Sequence, residues 1–300
     1  MLHADVEAGP ERPVIAGPVT APQRDQRERF DALVQTQVIN LDRSPKRLAT
    51  VDRCLRRAGL TYERLPATDG RLLDLDTDPE VRRVINRKAW MRRHHRNPTA
   101  ADIGCYLSHL HALDRFLAQA KPFGLIFEDD ADVAPDFVAD VTPAVEDSAS
   151  WDILKLHVRH PGPLIPRRAY HEGPVLCSFV TRHAGATAYM VNKVSAARMR
   201  DHMVPAVKMN DWTYDEGHKM TLRVRTLARR PVTLQLVPST IEADRGAPRR
   251  RSWLERQTDR PVLPRWQLPF RRTGDAGHRL WYNLVTDGGL SAFFTGPDRL

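Results

Sequence analysis

The sequence predicts an α/β sandwich with a mostly parallel central sheet. Two observations lead there. From Thr36 to Val191, short β-branched or apolar runs alternate with helix-period segments, the pattern of helices covering a sheet. One apolar run, Gly124 to Phe127, ends in Glu128, Asp129, Asp130 and Asp132, as a buried strand does when it delivers polar groups to the crevice beyond its end.

Residues 1–34 mix Pro10, Pro13, Pro18 and Pro22 with charged and small residues and read as a disordered leader. The folded domain is expected over 35–244. Thr36 to Leu41 is a strand. Ser44 and Pro45 then start a helix whose face carries Val51, Leu55 and Ala58, with Gly59 at its stop. Tyr62 to Leu65 is the next strand, closed by a turn at Asp69 and Gly70. Residues 71–98 pass from acidic to strongly basic and read as an exposed excursion with a solvated helix. Thr99 and Asp102 form a capping box for a helix that buries Ile103, Leu107, Leu110, Leu113 and Leu117. Further strands fall at FGLIF, DILKLH and GATAYMV.

The chain of 300 residues has a net charge of +9 and a pI near 9.8, which favours anionic partners without choosing among nucleic acid, headgroups and nucleotides. Most of that excess sits in a tail, 245–300: between Arg245 and Arg272, nine arginines face only Glu255 and Asp259. Three scattered cysteines, Cys54, Cys105 and Cys177, form no C-x-x-C pair and suit a reduced cytosol. No apolar run approaches the roughly 18 to 20 residues of a membrane span, and the N-terminus lacks the layout of a signal peptide.

Four carboxylates within five positions repel one another unless something neutralises them, and hard oxygen ligands suit Mn2+ or Mg2+. Alternation along an extended chain places Glu128, Asp130 and Asp132 on one side and Asp129 on the other. An EF-hand is excluded because Ala134 and Pro135 stand where Asx and Gly belong. A Walker-B strand lacks its G-x-x-x-x-G-K-[ST] partner. A solvated turn is the plain alternative. At the first strand end, Asn40, Leu41 and Asp42 with Arg43 and Arg47 offer amide, carboxylate and guanidinium groups to a nucleotide; a solvated helix face is the plain reading of the two arginines.

INLDRSPKR, ATDG, DIGCYLSH, LIFEDDADV and GATAYMV, in this order, resemble glycosyltransferase family 25, which includes bacterial lipooligosaccharide glycosyltransferases and collagen galactosyltransferases. The likeness spans about Thr36 to Ile241, and departs at Asp102, where the family has Glu. It implies a GT-A fold, a sugar-nucleotide donor, a divalent metal and inversion at the anomeric carbon. Glu128, Asp130 and Asp132 inherit the metal and diphosphate role. Two registers stay open, Glu128 with Asp130 or the literal D-x-D of Asp130 and Asp132. Asp129 joins the nucleotide-binding set. At the family's later aspartate position lie Asp211 and Asp215, candidates for the general base that an inverting transfer needs; an N-cap is the competing role for Asp211. Gly185 offers backbone access to the donor sugar, or a bend entering a strand, and His109 is a packed helix residue or a sugar contact.

The resulting expectation is a metal-dependent transferase moving galactose or glucose from a UDP-sugar to a lipopolysaccharide-type glycan. A noncatalytic sugar-nucleotide fold with a polyanion-binding tail is the alternative. Arginines among Trp253, Trp266, Phe270 and Trp281 suit an anionic membrane surface, and so a peripheral place on the cytoplasmic face of the bacterial inner membrane. Nucleic acid is disfavoured for want of an accompanying binding motif.

Overall fold

The computed structural model describes residues 21–159, 162–171, 173–235, 277–278, 281–283 and 285–286. The chain opens with α1 (Ala21–Leu33), β1 (Val34–Asn40), α2 (Pro45–Arg57) and β2 (Glu63–Pro66). Next come α3 (Pro79–Val84), α4 (Arg87–His94), α5 (Ala100–Leu117), β3 (Phe123–Glu128), β4 (Ala131–Val133) and α6 (Phe137–Glu146). The second half holds β5 (Ile153–Lys155), β6 (Leu164–Ala169), β7 (Val175–Phe179), β8 (Ala188–Asn192), α7 (Lys193–Met203), α8 (Asn210–Tyr214), α9 (Gly217–Met220), β9 (Val224–Leu227) and β10 (Val232–Leu234).

Eight strands form one sheet in the order β2-β1-β3-β8-β5-β9-β7-β6, and β10 pairs with β4 in a separate ribbon. The β1–β2, β1–β3 and β5–β9 pairs are parallel, whereas β8 and β7 run against their neighbours. The sheet is therefore mixed, with six of its eight strands pointing the same way. Strand periodicity divides the core between the two faces. Ile126 faces a cluster with Leu107, Leu110, Leu113 and Met199 from α5 and α7. Leu125 and Phe127 face the other cluster, with Val51 and Leu55 of α2 and Val141 of α6. This is the helix–sheet–helix sandwich that the alternating sequence predicts.

Two expectations change. Residues 21–33, within the expected leader, form α1, because Phe30 is 1% exposed and meets Phe137 edge-on at 6.3 Å. Residues 71–98 are not an exposed excursion. Val81, Val84, Ile85 and Trp90 are buried in the α5-side core, while the charges between them point outward, Arg87 to Asp76 for example. A few well-spaced apolar side chains suffice to dock two short helices despite the dominant charge. Thr99 and Asp102 do form the predicted capping box at the start of α5.

Of the expected tail, Trp253, Trp266 and Phe270 lie outside the described residues. Trp281 is 63% exposed. Its neighbour Asn283 is buried, donates to the Phe179 carbonyl at 2.9 Å and accepts from Arg167, so part of this segment lies against the β6–β7 hairpin.

Candidate active site

An open pocket lies beyond the ends of β1 and β3, where open α/β sheets take their ligands. Its acidic wall is Glu128, Asp129 and Asp130; its basic wall is Arg43, Arg47 and Arg71. The third side is backbone. Gly104 of α5 packs on the ATDG turn, so close that a Cβ there would stand 2.5 Å from the Thr68 oxygen and 2.8 Å from the Gly70 nitrogen. Ser108, one turn on, accepts the Thr68 N–H at 2.8 Å.

Each carboxylate of the cluster has its own environment. β3 ends at Glu128 and a turn occupies 129–130, so the alternation assumed for an extended chain does not hold. Glu128 accepts from His109 Nε2 at 2.9 Å and from the Thr187 hydroxyl at 3.4 Å. Burial works against its charge, yet the His109 hydrogen bond and the nearby Arg47 hold its carboxyl below the usual range. Asp129 accepts from Asn40 Nδ2 at 2.7 Å and pairs with Arg47 at 2.5 Å; burial still raises its pKa. Asp130 lies 3.4 Å from Arg47. Burial, with the Glu128 charge, pushes it up to about 7, and its Oδ1 is buried without a hydrogen-bond partner. Asp132 turns away, 47% exposed and 3.7 Å from Arg57, and accepts from the Cys54 thiol at 3.4 Å.

The structure thus brings Glu128, Asp129 and Asp130 to one pocket and leaves Asp132 outside it, which favours the Glu128–Asp130 register. Leu41, Arg43 and Arg47 also reach the pocket. Asn40 is a positioning residue: its amide donates to Asp129 and to the Ser44 carbonyl, and its oxygen accepts from Arg64 at 3.1 Å. Asp42 is 79% exposed and pairs with Arg64, away from the pocket. Gly185 takes φ +120, a conformation side chains resist. It packs against His157 rather than lining the pocket.

The two candidate bases part company. Asp215 is buried, pairs with Lys155 at 3.4 Å and His183 Nε2 at 3.2 Å, and accepts the His183 N–H. Those contacts tie it to β5 and to the segment before β8. Asp211 is partly exposed in the first turn of α8 rather than at its N-cap, which is Met209. It stands near enough to act electrostatically on Cys105. Its neighbour Asn210 places Oδ1 3.8 Å from the Cys105 sulfur.

Cys105 and Thr187 carried no functional expectation, and His109 proves both packed and part of the site. Its Nδ1 meets the Tyr189 hydroxyl at 3.1 Å while Nε2 meets Glu128. The signal was the i, i+4 spacing of Cys105 and His109 on α5, which puts both on one helix face. Among the described residues, the grouping that brings three potential metal-ligating atoms together is Cys105, His109 and Glu128, not Glu128, Asp130 and Asp132. The partnerless Oδ1 of Asp130 nonetheless suits a hard divalent ion, because an oxygen held in place without a donor is a ready ligand.

The profile of glycosyltransferase family 25 (LPS biosynthesis protein) matches residues 34–214. The chain belongs to this family. The pocket, its acidic wall and Asp211 fall within the matched span, and Asp215 lies one residue beyond it. Among the relatives is a "Glycosyltransferase 25 family member" of Aedes aegypti, 31% identical over 121 residues, 39% of this chain and 20% of that protein. A namesake in Drosophila pseudoobscura pseudoobscura is 32% identical over 113 residues, 38% of this chain and 18% of that protein. The chain thus spans about a fifth of the length of these relatives. Among solved structures, A197 from STIV is 11% identical and covers 69% of this chain and 96% of its own, with a TM-score of 0.35; that likeness carries no argument.

Proposed function

We propose that this family 25 domain transfers a hexosyl group, galactose or glucose, from a UDP-sugar to a hydroxyl of a lipopolysaccharide-type glycan, with inversion. The observation that supports it best is the pocket itself: half-buried Asp130, its buried Oδ1 without a donor, across from Arg43 and Arg47 at the strand ends. Arginine forks suit a diphosphate. A divalent ion held by Asp130 and Glu128 would stabilise the leaving diphosphate as a Lewis acid.

The chain's own residues divide the remaining work. Arg47 is fixed by Asp129, which Asn40 in turn orients, so the phosphate-facing guanidinium is held before the donor arrives. Asp211 takes the proton of the acceptor hydroxyl. Asp215 supports that segment through Lys155 and His183. The arginine-rich segment within 245–300 holds the protein at an anionic membrane surface, on the cytoplasmic face where a lipid-linked acceptor is presented.

The test is a mass-spectrometric screen of sugar nucleotides with Mn2+. Turnover of a UDP-hexose is expected, falling by about 100-fold or more in Asp130→Asn and Asp211→Asn, the scale of losing one transition-state contact. Failure of every donor to bind or turn over, or unchanged turnover in Asp130→Asn, overturns the reading.

A further inference from the structure

We propose that Cys105, His109 and Glu128 form a second kind of metal site, one that takes a thiophilic ion such as Zn2+ on the floor of the pocket. It goes beyond the transferase reading and does not depend on it. The three ligand atoms lie within 4.8 Å of one another. His109 Nε2 is 2.9 Å from Glu128 Oε1, and the Cys105 sulfur is 4.0 Å from that same oxygen. Around a tetrahedral Zn2+, ordinary bond lengths put such atoms about 3.4 to 3.6 Å apart. The two distances to Glu128 Oε1 straddle that range, so modest side-chain rotations would admit the ion.

The donor set is soft and mixed: thiolate, imidazole and one carboxylate. Zinc is favoured by such ligands, whereas Mn2+ and Mg2+ favour oxygen. The surroundings also resemble a metal site. His109 Nδ1 is engaged by the Tyr189 hydroxyl at 3.1 Å, the outer contact that orients a ligating imidazole. Tyr189 in turn meets the Tyr214 hydroxyl at 3.3 Å. Cys105 and Glu128 both line the pocket, leaving a fourth position open to solvent or ligand, as in catalytic rather than structural zinc sites. On binding, the Cys105 S–H bond breaks, its proton leaves to solvent and the sulfur forms the metal bond; the proton that His109 Nε2 shares with Glu128 also leaves, and the neutral ring carries its proton on Nδ1, facing the Tyr189 hydroxyl. Glu128 belongs to both arrangements, so Zn2+ would displace the hard ion of the transferase reading rather than accompany it.

Cobalt alone, titrated into the full chain, provides the test, because a thiolate ligand gives a sulfur-to-cobalt charge-transfer band. One such site per chain is expected, reversed by Zn2+. Cys105→Ser should abolish the band and weaken Zn2+ binding at least about tenfold, the lower bound set by lesser changes around metal sites. Cys54→Ser and Asp132→Asn should leave it intact, since both sit outside the pocket. No band in the wild type, or a band that survives Cys105→Ser, overturns the proposal. A band lost instead in Cys54→Ser also overturns it. Should Cys105→Ser not fold, wild type and Cys54→Ser still decide, and none of these readings uses glycosyl transfer.

Discussion

Gly104→Ala separates helix propensity from packing at the pocket wall. In an exposed helix interior, replacing Gly by Ala stabilises by about 1 kcal/mol. Here the new Cβ would stand 2.5 Å from the Thr68 oxygen and 2.8 Å from the Gly70 nitrogen. Both obstacles are backbone, so no rotamer change relieves them, and α5 must retreat from the ATDG turn. Overpacking of this kind costs about 1 to 3 kcal/mol. With the clash at the upper end, the net loss is about 2 kcal/mol, or roughly 4 to 8 °C in Tm for a domain of this size. The retreat would also stretch the Thr68 N–H bond to Ser108, now 2.8 Å, and widen the pocket. Differential scanning fluorimetry reads the first effect, and calorimetric titration with UDP the second. A Tm equal to or above that of the wild type would refute the close helix–turn approach on which the pocket shape depends.

His157 gives a pH dependence: burial, with the Lys155 charge, lowers its pKa from 6.5 to about 4. The unfolded chain binds that proton first, so stability is fully present above pH 6.5 and is lost as pH falls towards 4, by up to about 3 kcal/mol. His157→Gln should flatten the Tm profile over that window; parallel profiles would reject the effect. Asp215→Asn strips the carboxylate from buried Lys155 and should cost about 3 to 5 kcal/mol, seen as a lower denaturant midpoint, with kcat of the folded fraction preserved. A selective loss of kcat with stability intact would return Asp215 to the role of base. Replacing Arg249, Arg250 and Arg251 together by Gln should weaken sedimentation with anionic liposomes by about 3 kcal/mol at low salt, and the difference should shrink as salt rises. Equal binding by the triple variant would reject the membrane role.

Much of this fold could be read from local chemistry. The Thr99–Asp102 capping box, the Pro45 helix start and the strand that ends at Glu128 are short-range signals, and each recurs in the structure. What stayed hidden depends on contacts distant in sequence. The burial of Trp90 among helices from elsewhere overrides a charge pattern that by itself reads as solvent-exposed. The β6–β7 hairpin has Pro166, Arg167 and Arg168 in its first strand, a composition that conceals an edge strand. In the site, the positions of Arg43, Arg47 and Asp130 follow from adjacency to strand ends. The convergence of Cys105, His109 and Glu128 requires knowing that α5 packs across β3, which no spacing in the sequence states.

The carboxylate cluster shows why that distinction matters for function. On the sequence alone, crowded acids at a strand end call for a cation to hold them together. The fold answers most of the demand from within. Glu128 has His109, Asp129 has Asn40 and Arg47, and Asp132 faces outward beside Arg57. Only Asp130 keeps a buried oxygen with no donor, and it is the carboxyl of the group pushed up to about 7. Its charged form is therefore the costly one near neutral pH, and the cation proposed above would offset that cost by favouring ionisation. Among the four carboxylates, Asp130 is thus the one whose surroundings leave room for a hard ion. Arg47 offsets part of Asp130's charge at 3.4 Å and is drawn more closely to Asp129 at 2.5 Å, which leaves Asp130 as the acid whose ionisation a bound ion would control.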